Sequence, residues 1–106
     1  AGGGAPFQSL EYVAFGPSGE LFVSDCDLDK VFVFDSKGEH VRTIGSTGDG
    51  EGQLICPQGL AFGPKGELFV SDYGNDRVQV FGEDGTFLRS FGTQGSENGQ
   101  FQKQKG

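Results

Sequence analysis

One thirteen-residue phrase occurs twice in this chain, and the distance between its copies limits what the chain can fold into. Val13 to Asp25 reads VAFGPSGELFVSD, and Leu60 to Asp72 reads LAFGPKGELFVSD, 47 residues later. The offset persists beyond the phrase. Val31 to Phe34 returns as Val78 to Phe81, Gly38 as Gly85, Ile44-Gly45 as Phe91-Gly92, and Gly52-Gln53-Leu54 as Gly99-Gln100-Phe101. A fixed period of this length marks a repeat architecture, in which each unit buries its apolar surface against a neighbour. The repeats divide the chain into a partial copy at 1–12, a first full copy at 13–59 and a second at 60–106 that ends in a polar tail.

Each repeat holds four short strand candidates. In the first they are Val13–Phe15, Glu20–Ser24, Val31–Phe34 and His40–Ile44; in the second, Leu60–Phe62, Glu67–Ser71, Val78–Phe81 and Thr86–Phe91. Gly16-Pro17-Ser18-Gly19 has the Pro and Gly placement of a type I turn. The short loops between strands favour antiparallel neighbours joined as a meander. Glycine makes up 20 of the 106 residues, but it punctuates apolar runs instead of forming a tract, so the composition reads as tight turns between strands.

The strands are apolar on both faces. In Val31-Phe32-Val33-Phe34 both alternating sets are apolar, and in Glu20-Leu21-Phe22-Val23-Ser24 they nearly are. A sheet with one wet face would alternate apolar and polar residues. The fold class is therefore all-β, built of four-stranded antiparallel sheets stacked face to face as the blades of a β-propeller.

The second repeat carries Pro57-Gln58-Gly59-Leu60-Ala61-Phe62, then Gly66 to Asp72, then Gly74-Asn75-Asp76-Arg77-Val78-Gln79-Val80-Phe81, and finally Gly99-Gln100-Phe101. This succession resembles the NHL repeat. The first repeat departs from it at Cys26-Asp27-Leu28-Asp29-Lys30, where Gly-Asn-x-Arg is replaced. No Gly-His or Trp-Asp pair supports a WD repeat.

Propellers have roughly four to eight blades, so two cannot close a ring. The outer faces of a lone pair would meet water, at a cost of about 25 cal/mol per Å² of apolar surface. The chain is expected to self-assemble, and the NHL resemblance implies a six-bladed ring, which three copies would complete as a homotrimer. Phe7 and Phe101 both correspond to Leu54. One is expected to dock and the other to fray, the latter at the polar Gln102-Lys103-Gln104-Lys105 end. Ala1 opens the chain and methionine is absent, as expected of a piece processed or excised from a longer one.

The formal charge of −7, with eight Lys and Arg spread thinly, opposes nucleic-acid binding, which neutralises phosphates with basic side chains. No apolar run approaches the roughly 18 to 20 residues of a membrane helix. Asp25, Asp27 and Asp29 invite a calcium reading, but Lys30 and Ser36 stand where an EF-hand loop needs Gly and Glu. A solvated acidic loop, or an Asp25 that caps turn amides, is expected instead, with a calcium site of another kind as the lesser alternative. Asp72, Asn75 and Arg77 are read as loop framework before any binding triad. His40, the single histidine, is poor material for zinc or for acid–base chemistry. No cofactor and no catalytic residue is expected.

In a propeller blade the loop between the second and third strands lies at the same end as the entry to the next innermost strand. That places Cys26 near Cys56. A disulfide needs Cα atoms within about 7 Å, and both a bridge and two free thiols suit the placement. The same end is the expected binding surface, with Asp27, Leu28, Asp29 and Gln58 from one region and Tyr73, Gly74, Asn75 and Asp76 from the other. Its acidity would suit a cationic or protein partner. The leading expectation is a non-catalytic scaffold or interaction module, or an excised or engineered fragment with no selected ligand. The NHL resemblance implies two alternatives: a metal-dependent lyase or hydrolase, and an RNA-binding domain with a positive face.

Overall fold

A computed structural model describes residues 7–92. Eight strands run in chain order: β1 (Leu10–Phe15), β2 (Leu21–Asp25), β3 (Lys30–Phe34), β4 (His40–Ile44), β5 (Pro57–Phe62), β6 (Leu68–Asp72), β7 (Arg77–Phe81) and β8 (Phe87–Phe91). A short 3-10 turn, Tyr73–Asn75, links β6 to β7. The strands form two four-stranded sheets, in the orders β1-β2-β3-β4 and β5-β6-β7-β8, with every neighbouring pair antiparallel. Each sheet is a blade-like meander. The first strand of each sheet starts three residues earlier than the apolar pattern predicts, at Leu10 and Pro57. A register shift interrupts the pairing in both, between Leu10 and Tyr12 and between Pro57 and Leu60, so the alternation that marks a strand is broken there.

The turns follow from their glycines. Gly19 and Gly66 donate to the Gly16 and Gly63 carbonyls, and both sit at positive φ, where a side chain would be strained.

The main core lies between the sheets. Phe22, Val31, Val33 and Ile44 project from the back of the first sheet. They meet Leu60, Leu68, Val70 and Phe81 on the front of the second, and Leu54 in the connection between the sheets. Phe22 stacks edge-on against Phe62, with ring centroids 4.9 Å apart. Burial of each such side chain contributes about 1.5–3 kcal/mol. The two faces therefore hold each other.

A second cluster occupies the opposite face of the first sheet, where Val23, Phe32 and Phe34 are covered by Phe7, Leu21 and Leu28. Phe7 docks there, its ring 5.5 Å from Phe32 and 5.6 Å from Phe34. The competing position, Phe101, lies outside the described residues, as does the expected fraying end.

Phe22 has no exposed surface and is central to the inter-sheet core. Phe22→Ala should lower the free energy of unfolding by about 3–5 kcal/mol in a denaturant titration followed by circular dichroism.

Candidate functional site

The end of the molecule that holds the β2–β3 and β6–β7 loops is organised by two aspartates at equivalent positions of the repeats. Asp72, at the end of β6, is fully buried. Its Oδ2 accepts from Arg77 Nε at 2.8 Å, Asn75 Nδ2 at 3.0 Å and Gln79 Nε2 at 3.3 Å, and its Oδ1 accepts from the Ile55 amide at 2.8 Å. Arg77 then donates to the carbonyls of Asp49, Gly50 and Gln53. Asn75 reaches the Gly48 carbonyl. A buried ion pair is tolerable when hydrogen bonds satisfy its remaining donors and acceptors, and here they do. The long connection between the sheets is thus fastened to the second blade.

Gly74 belongs to this fastening. Its amide donates to the Ile55 carbonyl at 2.7 Å, and a Cβ there would stand 2.6 Å from that oxygen. Any side chain would push the segment away.

The first blade has no arginine in this role. Asp25 is also fully buried, and its carboxylate accepts from the amides of Gln8, Ser9, Asp27 and Leu28. Burial pushes the Asp25 carboxyl up, but these backbone donors outweigh it and hold the group below the ordinary carboxylate range. Lys30, the counterpart of Arg77, turns to the Leu28 carbonyl instead.

The eight candidate binding residues lie at this one end, and most, Gly74 included, are engaged. Asp29 Oδ1 accepts from the Cys56 amide at 2.8 Å and its Oδ2 from Thr47 Oγ1 at 2.9 Å, which ties the first blade's loop to the entry of the second. Gln58 accepts from Ser24 Oγ through its carbonyl, and its side chain lies 3.5 Å from Cys56 Sγ. Leu28 packs beneath the loop against the second cluster, and Asn75 is held by Asp72. Tyr73 is half-buried in the 3-10 turn. Only Asp27 is exposed, whereas Asp76 is buried. The structure joins Cys26 and Cys56 by a disulfide, with Cα atoms 3.8 Å apart. Closing a loop with a sequence separation of 30 residues stabilises a fold by about 3–4 kcal/mol in the chain-entropy account.

The opposite end carries a cluster that sequence reading missed. Arg42 pairs with Glu20 at 2.6 Å and donates to the Glu83 carbonyl of the next blade. The Glu83 carboxylate in turn accepts from the amide and hydroxyl of Ser18. The signal was the recurrence of Glu20 and Arg42 as Glu67 and Arg89 at the repeat offset.

His40 is exposed on β4, where Nε2 meets Thr43 Oγ1 at 2.8 Å. Among the described residues no three His, Cys, Asp or Glu side chains converge as metal ligands. No helix among them is long and apolar enough to cross a membrane.

A family model of the NHL repeat matches residues 54–81. The match begins at Leu54, in the inter-sheet core, and runs through β5, β6 and β7, so it takes in Asp72 and the Ile55, Asn75, Arg77 and Gln79 groups that bond it, but not the carbonyls of the 48–53 segment. No curated protein matches the chain.

The Asp25 carboxylate yields a pH prediction. Its native pKa lies below the unfolded value of about 3.9, so its contribution is present above that pH and is lost as the pH falls through the native pKa. Asp25→Asn should cost about 1–3 kcal/mol at neutral pH. The deficit relative to wild type should shrink as denaturant titrations are carried below about pH 4.

Proposed function

We propose that the chain is a non-catalytic β-propeller module that self-assembles into a ring, with residues 13–59 and 60–106 as its repeats and three copies supplying six blades. The observation that carries this reading is the unequal fate of equivalent residues. Phe62 packs on Phe22 inside the molecule, whereas its counterpart Phe15 is 74% exposed. Leu60 is buried, whereas its counterpart Val13 is 56% exposed. Ile44 is buried, whereas its counterpart Phe91 is 45% exposed. Surface of this kind, matching a buried face of the same chain, is interaction surface.

The loop end is the binding face in this reading. Asp27, exposed beside Leu28 and Asp29, and the Tyr73–Asp76 turn next to Gln58 give it an acidic character that suits a cationic or protein partner. The Cys26–Cys56 bridge and the two aspartate networks support the reading because they make these loops rigid, and a rigid surface loses less entropy on binding. Neither metal-assisted catalysis nor RNA binding has a specific observation in its favour.

Light scattering coupled to size exclusion tests the ring. Three chain masses are expected. A single-chain mass at every concentration would contradict it.

A further inference from the structure

Four contacts between the two blades have counterparts 47 residues away that lie on the two outer faces of the molecule. Ser24 Oγ donates to the Gln58 carbonyl at 2.8 Å; the counterparts are Ser71, exposed, and Glu11, exposed. Phe22 meets Phe62 edge-on; the counterparts are Phe69, half-buried, and the exposed Phe15. Arg42, paired with Glu20, donates to the Glu83 carbonyl; the counterparts are Arg89, paired with Glu67 at 3.9 Å, and Ser36. Asp29 Oδ1 accepts from the Cys56 amide; the counterparts are Asp76 and Ser9.

The fourth pair is the most telling. Asp76 is 5% exposed, and its Oδ1 is the buried side-chain oxygen that lacks a hydrogen-bond partner among the described residues. A buried carboxylate oxygen without a donor is costly. Its backbone is already set as that of Asp29 is, with φ of 54° against 59°. At the other face the Ser9 amide, which corresponds to the amide Asp29 receives, has turned to Asp25 Oδ1 at 3.0 Å. The Cys56 amide bonds Asp29 instead. An orphaned acceptor and a diverted donor therefore occupy matching positions on opposite faces.

We infer that the back of the second blade in one copy docks on the front of the first blade in the next, in the register of the internal contact, with Asp76 Oδ1 accepting the Ser9 N–H of the neighbouring copy. This rests on the self-assembly proposed above and adds its polarity and register. Phe15 of one copy then covers Phe69 of the other, and Ser71 Oγ reaches the Glu11 carbonyl. The contact is head-to-tail, so the same rotation repeats and can close a ring. It is also the weaker of the two junctions, because Ser36 stands where Glu83 clamps Ser18 inside the chain.

Two arginine substitutions separate polarity from assembly. Phe15→Arg blocks the front and Ser71→Arg blocks the back, both at exposed positions. Circular dichroism checks that each folds, and Val13→Arg replaces Phe15→Arg if it does not. Analytical ultracentrifugation should find each variant alone at one chain mass and their equimolar mixture at two, since one intact front meets one intact back. A self-paired dimer of either variant overturns head-to-tail docking while leaving self-assembly standing. Wild-type mass in either variant, or no association in the mixture, overturns the interface. A monomeric wild type overturns the self-assembly reading itself. In the wild-type background Asp76→Gly, which keeps the positive φ accessible, should weaken association about tenfold or more; unchanged association overturns the assigned hydrogen bond.

Discussion

A sheet whose two faces are both apolar needs a neighbour on each side. Everything else in this molecule depends on that requirement. The chain meets it once, where Phe22, Val31, Val33 and Ile44 close against Leu60, Leu68, Val70 and Phe81. Phe7, Leu21 and Leu28 meet part of it again by covering Val23, Phe32 and Phe34. The faces left over carry the exposed Val13 and Phe15. Polar groups follow the same division, since Asp29 finds its donor inside the chain and Asp76 does not.

The loop end solves a different problem, that of fixing irregular backbone without a ladder. Each blade places one buried aspartate at the end of its second strand and surrounds it with donors. The second blade uses Arg77 and Asn75, which in turn collect carbonyls from the 48–53 segment. The first uses backbone amides alone. The disulfide then ties the first blade's loop to the second blade's entry strand. The result is a loop end whose irregular backbone is held by two buried carboxylate networks and one disulfide.

Much of the fold was legible in the sequence because a repeat supplies its own control. The strands, their antiparallel order and the two-faced burial of β2 and β3 all followed from pattern and spacing. The early starts of β1 and β5 were hidden because a register shift breaks the alternation at Glu11 and at Gln58-Gly59. The framework role of Asp72, Asn75 and Arg77 was visible from loop chemistry. That Asp29 and Asp76 play unequal parts was not, because identical residues differ only in whether a neighbour is present. The Glu83 clamp on Ser18 was overlooked for a related reason: its partners lie 65 residues apart and meet only through blade stacking.

The central claim is that the exposed faces of the pair are halves of one interface. Hydrogen–deuterium exchange measured across a concentration series tests it most directly, because it reports where association protects the backbone. The account predicts protection that rises with concentration in residues 8–15 and 69–78, while the already buried β2 and β3 stay unchanged. Exchange that is independent of concentration, or protection that grows elsewhere, would contradict it.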